Sequence, residues 1–164
     1  MTATRLSETR ELVLSRVFNR PREILWQAWT QPEHLMRWFA PEHFEAAAAK
    51  VDLRPGGHFL YCMRSPEGAE FWGKGVYREI ASPERLVYVD SFSDEEGNPV
   101  PPERYGLSPD YPGETLVTVT LADEGERTLV TLRHAGLPSG EGTDATEAGW
   151  RSQLDRLAAA LDAT

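Results

Sequence analysis

Hydrophobic residues in this chain recur at two different spacings, and the spacing changes near the C-terminus. From Thr143 to Leu161, Trp150, Leu154, Leu157, Ala158 and Leu161 fall at i, i+4, i+7, i+8 and i+11. That is one apolar stripe on a helix of 3.6 residues per turn. Asp144 followed by Glu147 resembles a capping box, and Glu147 with Arg151 and Arg151 with Asp155 are i,i+4 charge pairs on the opposite face. This is the one long helix the pattern predicts. Its stripe needs apolar cover, and most of the preceding hundred residues alternate as strands, so the helix is expected to lie across a sheet. Gly149 inside it costs about 1 kcal/mol relative to alanine, which predicts close packing beside Trp150.

Before that helix the period is mostly two. Arg10 to Asn19 reads as a first strand, with Leu12, Leu14 and Arg16 on one side, Val13, Ser15 and Val17 on the other, and Phe18 breaking the count. Two short helices follow. One starts at Pro21, carries Ile24, Leu25, Ala28 and Trp29, and ends at Thr30. The other starts at Pro32, carries Leu35, Trp38 and Phe39, and is stopped by Pro41. Ala46 to Ala49 favours helix by composition, but Val51 to Arg54 alternates, and the stretch is read as strand. Arg54-Pro55-Gly56-Gly57 turns the chain into a strand at Phe59 to Met63, and Ser65 to Gly68 turns it into Glu70 to Ile80. In that strand Phe71, Gly73, Gly75 and Tyr77 share a face, and two interior glycines predict a sharp bend or a close approach. Arg85 to Ser93, Leu116 to Leu121 and Thr128 to Arg133 complete the strands, and Gly136 to Gly140 breaks the chain before the last helix. The long irregular stretch Asp94 to Glu114 exceeds an ordinary hairpin loop and is expected to act as a lid.

Consecutive strands with short turns, and helices kept apart from them, define an antiparallel α+β fold. At 164 residues the chain reads as a single domain with its core at about residues 10 to 162. Cys62 is the only cysteine, so no intramolecular disulfide forms and nothing points to an oxidising compartment. The beginning lacks a signal-peptide pattern and no stretch has the apolar length of a membrane span, so a cytoplasmic location without membrane contact is expected. The net charge is -9, from 26 acidic and 17 basic side chains, and no basic block exists to grip phosphates. Nucleic acid is therefore not an expected partner.

The ordered set Pro21 to Trp29, Pro32 to Phe39, Leu53 to Gly57, Gly75 to Ile80, Pro83 to Tyr88, Leu132 to His134 and Gly149-Trp150 resembles the family related to the activator of the heat-shock-protein-ninety ATPase. That family belongs to the START-like (SRPBCC) superfamily. The resemblance runs from about Arg10 to Leu161. It implies a helix-grip fold: a seven-stranded antiparallel sheet curved around the last helix, with a cavity between them. It also implies a stress-response setting and a choice among small-molecule binding, cyclase, aromatase or hydrolase chemistry, and chaperone cofactor activity. In the named activator a further N-terminal domain makes major chaperone contacts, whereas here one domain takes up nearly all 164 residues. Chaperone contact is accordingly the least favoured of the three.

Trp29, Trp38, Phe59, Tyr61, Trp72, Tyr77, Tyr88, Phe92 and Trp150, with Leu154, form an aromatic and apolar set suited to lining a pocket or to filling a core. Trp150 and Leu154 are the expected contributions of the helix, and Tyr88 and Phe92 those of the sheet. Asp90 alternates onto the face of Tyr88 and Phe92. It reads as a polar anchor or general acid/base, or as an ion-paired or outward carboxylate. His134 reads as a general base at the pocket mouth or as a histidine bonded to loop backbone. His34, His43, His58 and His134 show no metal spacing, Cys62 reads as an inert buried thiol, and no phosphate-cradling motif is present. No cofactor is predicted. The expected partner is an apolar or aromatic small molecule, and an exposed sheet edge is compatible with a homodimer.

Overall fold

The computed structural model describes residues 10–109, 111–137 and 141–162. Seven strands form one antiparallel sheet in the order β1-β7-β6-β5-β4-β3-β2. They are β1 (Arg10–Phe18), β2 (Glu45–Val51), β3 (His58–Arg64), β4 (Glu70–Ala81), β5 (Arg85–Phe92), β6 (Glu114–Asp123) and β7 (Thr128–Leu137). Helices α1 (Arg22–Thr30) and α2 (Pro32–Trp38) join β1 to β2, and α3 (Glu141–Asp162) closes the chain. This is the antiparallel α+β class that the order of elements implied, in the curved helix-grip form that the family resemblance implied.

Local chemistry accounts for the helix starts. Pro21 precedes α1 with extended backbone, and its carbonyl accepts the amides of Ile24 and Leu25. Pro32 occupies the first turn of α2, where its missing N–H has no partner to lose. Phe18 continues the inward row of Leu12 and Leu14 instead of breaking it, and is buried. The outward Val13 and Val17 are exposed. β2 ends at Val51, so Leu53 and Arg54 belong to the turn, not to the strand. There the Gly56 amide donates to the Tyr77 carbonyl, and a Cβ on Gly57 would lie 2.1 Å from the Asp52 carbonyl oxygen. Backbone proximity thus stops the pairing earlier than side-chain alternation suggests.

α3 begins at Glu141, earlier than its apolar stripe indicated, so Asp144 lies inside the helix and does not cap it with Glu147. Of the predicted break at Gly136 to Gly140, Gly136 and Leu137 still belong to β7, and positions 138–140 lie outside the described residues. Arg151 does bond Glu147 at 2.8 Å. Asp155 instead pairs with Arg16 of β1, because the helix is laid against that end of the sheet. At Gly149 an added Cβ would meet only Pro41, at 4.0 Å. That is ordinary contact, and the expected close approach at this glycine is absent.

The core lies between α3, α1 and the inner face of the sheet. Leu12, Leu14, Val117, Val119, Leu121, Val130 and Leu132 come from the strands, and Leu154, Leu157 and Leu161 from α3. Trp29 and Trp38 add an edge-to-face pair at 4.6 Å, with the Trp38 indole donating to the Ala28 carbonyl. Among the described residues, no helix is long and apolar enough to cross a membrane.

Candidate functional site

The site is set by register on the inner face. β3, β4 and β5 pair so that Tyr61 lies beside Gly73 and Phe92, while Phe59 lies beside Gly75 and Asp90. A Cβ on Gly73 would sit 2.3 Å from the Tyr61 ring, and one on Gly75 would sit 2.7 Å from the Tyr88 ring. The two glycines therefore let tyrosine rings lie flat across β4 where any side chain would exclude them. Tyr61 uses this freedom to reach over β4 and donate its hydroxyl to Asp90 Oδ1 at 2.7 Å.

Beside that bond is a cavity of about 220 Å³. Tyr61, Met63, Phe71, Gly73, Asp90, Phe92, Thr115 and His134 line it from the sheet, and Tyr105, Leu107, Tyr111, Pro112 and Gly113 line it from the segment joining β5 to β6. That segment is a built wall. It holds a short 3₁₀ turn at Pro102–Tyr105, and the Tyr105 hydroxyl donates to the Ser93 carbonyl. Phe92 meets Tyr111 at 5.6 Å and Tyr105 at 6.3 Å, and Phe71 meets Tyr105 at 5.6 Å. The Tyr111 hydroxyl lies 3.5 Å from Thr146 Oγ1 and so ties the segment to α3.

Asp90 is half-buried, its free side turned to the cavity it lines. Burial disfavours its charge and lifts its pKa to about 7, against the opposing pull of the Tyr61 hydrogen bond. The Tyr61 hydroxyl is itself pushed well up, first by burial and then by the neighbouring carboxylate. His134 has the opposite assignment. Its Nδ1 accepts the Trp150 indole N–H at 3.0 Å, which puts the proton on Nε2, 2.8 Å from Thr115 Oγ1. Burial lowers its pKa to about 4. With its lone pair engaged and its proton directed at Thr115, His134 is a neutral bridge between β6, β7 and α3. It bonds side chains, not the loop backbone.

Of the predicted site residues, Tyr61, Asp90 and Phe92 meet at the cavity. Trp72 touches the same wall by its position between Phe71 and Gly73, but alternation turns its indole to the outer face, where it donates to Glu70 at 3.4 Å. Phe59, Tyr77 and Tyr88 are buried in the layer beside the cavity, and Trp29, Trp38 and Leu154 in the core under the helices. Trp150 is buried against Phe39 and His134, and reaches the cavity only through the histidine it bonds. Met63, Phe71, Tyr105, Leu107, Tyr111 and Thr115 are lining residues that the sequence reading did not select. Phe71 shared a face with the two glycines, and Tyr105 and Tyr111 were the aromatic residues of an overlong loop; those were the available signals. Cys62 is buried, and desolvation raises its thiol to about 11, an inert state. No group of side chains suited to a metal occurs among the described residues.

Residues 19–162 match the family model described as Activator of Hsp90 ATPase homolog 1-like protein. No curated protein matches the sequence significantly. Among solved structures, a protein from Chromobacterium violaceum is 27% identical, with a TM-score of 0.75 over 91% of this chain and 94% of the other. One from Nitrosomonas europaea is 26% identical, with a TM-score of 0.74 over 93% and 94%. One from Arthrobacter aurescens, solved by NMR, is 26% identical, with a TM-score of 0.77 over 94% and 87%.

Proposed function

Because the chain belongs to the Activator of Hsp90 ATPase homolog 1-like family, with that family's fold and no motif that dictates a reaction, we propose that it binds an apolar or aromatic small molecule. The place we assign to it is the cavity under the segment between β5 and β6. The observation that carries this reading is the partly open space itself: about 220 Å³, walled by aromatic rings on both sheet and segment. For scale, an apolar cavity of ~150 Å³ binds benzene. A one-ring molecule with a short arm fits.

In this reading the covering side chains Tyr105, Leu107 and Tyr111 act as a lid over the ligand. Native mass spectrometry of freshly purified protein tests the binding reading. Retention of a small organic mass, lost in a Phe92→Ala variant that remains folded, supports it. A protein that stays empty and takes up no aromatic probe counts against it.

A second reading draws on Asp90. A carboxyl with a pKa about 7, facing the cavity and held by Tyr61, is able to accept or return a proton near neutral pH. His134 does not share that role, since both its nitrogens are engaged. Turnover of a bound carbonyl compound that disappears in Asp90→Asn while binding persists would favour catalysis. Unchanged turnover in that variant would remove it.

A further inference from the structure

Among the described residues, the carboxylate in the cavity has no positive partner. Tyr61 occupies Oδ1 of Asp90, and Oδ2 has no hydrogen bond among the described residues. No lysine or arginine is found among the described residues of the cavity wall. An anionic ligand would meet repulsion here, and a neutral apolar one would cover a charge without compensating it. Around the same space stand Tyr61, Phe71, Phe92, Tyr105 and Tyr111, whose ring faces carry negative potential.

From this we propose that the cavity selects an organic cation: an ammonium on a compact apolar or aromatic body, its nitrogen against Asp90 and its carbon frame among the five rings. The inference rests on the small-molecule reading above and adds the charge of the ligand. Cation–π contacts strengthen when desolvated, as they would be here, and a charge-assisted hydrogen bond to Oδ2 adds to them. Tyr61 keeps the acceptor in place by fixing the carboxylate rotamer. The 220 Å³ space limits the partner to about one ring and a short amine arm.

The recognition depends on pH through Asp90. The titratable groups around it are Tyr61 of β3, Tyr88 of its own strand, His134 of β7, and Tyr105 and Tyr111 of the overlying segment. The hydroxyls of Tyr61 and Tyr88 ionise well above neutrality, and His134 becomes charged only near pH 4. Between pH 6 and 8 Asp90 is therefore the group expected to govern cation affinity.

Calorimetric titration of the full chain with phenethylamine, phenethyl alcohol and 3-phenylpropionate tests the proposal. At pH 8 the amine should bind at least tenfold tighter than the alcohol, and the carboxylate weakest. From pH 8 to pH 6 the amine should weaken about tenfold as Asp90 takes up its proton, with the alcohol unchanged. Asp90→Asn should equalise amine and alcohol. Tyr61→Phe, which keeps the carboxylate but removes the hydroxyl that lowers its pKa, should move the loss of amine binding to higher pH. Equal affinity for amine and alcohol in the unaltered protein, or an amine preference that survives Asp90→Asn, overturns the cation inference and leaves the binding reading standing. Failure of all three probes to bind overturns both.

Discussion

The inner face of one sheet is used in two ways. Toward β1, β7 and the far half of β6, Leu14, Val119, Leu121, Val130 and Leu132 join Leu154, Leu157 and Leu161 of α3 in one buried apolar cluster. Toward β3, β4 and β5, Gly73 and Gly75 remove side chains from the middle strand, an irregular segment supplies the cover, and a space remains. The strands pair in register throughout most of both regions. What separates them is side-chain volume and the kind of element lying on top. A helix with a continuous stripe fills its half, whereas a segment with Pro112 and Gly113 at the wall does not.

Paired substitutions probe that contrast most strongly. Leu132→Ala, at a site with 0% exposure, should cost about 2–5 kcal/mol by denaturant unfolding and leave probe binding intact. Gly73→Ala should cost about 1–3 kcal/mol, because the new Cβ displaces the Tyr61 ring, and should abolish binding with it. If Leu132→Ala also eliminates binding, the two halves are mechanically one.

The second probe is pH, since the sheet side of the cavity wall holds two groups shifted in opposite directions, Asp90 and His134. Asp90 has a folded pKa about 7, above its ordinary 3.8, so its contribution to stability is full below pH 4 and is lost as pH rises through 7. His134 has a folded pKa about 4, below its ordinary 6.5, so its contribution is present above pH 6.5 and is lost as pH falls through 4. The two slopes are each about 1.4 kcal/mol per pH unit and opposite in sign, so stability should stay nearly flat between pH 4.5 and about 6.5. Asp90→Asn should expose the His134 slope, with stability rising toward pH 6.5. His134→Gln should expose the opposite one. Chemical denaturation across that range decides it, and a steep profile in the unaltered protein would show that the pair does not balance.

The smallest effect concerns the helix. Gly149→Ala should stabilise the protein by about 0.5–1 kcal/mol, because its Cβ finds ordinary contact with Pro41 while the helix gains propensity. A loss of thermal stability instead would restore the close-packing expectation for this residue.

Legibility differed between the two regions for the same reason that their packing differs. The filled half follows period: the Trp150 to Leu161 stripe and the alternation of β1, β6 and β7 announce which side chains turn inward. In the open half, Tyr61 meets Asp90 only because register sets Tyr61 beside Gly73 and Gly75 beside Asp90. The sequence marked both glycines and Asp90 but carried no information on their shared row. Trp72 shows the converse, an aromatic residue at the cavity wall whose indole faces away. Trp150, a pocket residue by its place on the apolar stripe, donates to His134 Nδ1 and so fixes that residue's tautomer.

By itself, then, the sequence determined the strands, the helices, the α+β class and the family, since these depend on local periodicity, turn chemistry and an ordered set of motifs. Tertiary structure alone decided that a cavity of about 220 Å³ lies under the segment between β5 and β6, that Asp90 is bonded to Tyr61, and that His134 is neutral. Those depend on strand register and on what covers each row. Residues such as Tyr61 and Asp90, 29 positions apart in the chain, acquire a joint chemistry only when a glycine between their strands lets them touch.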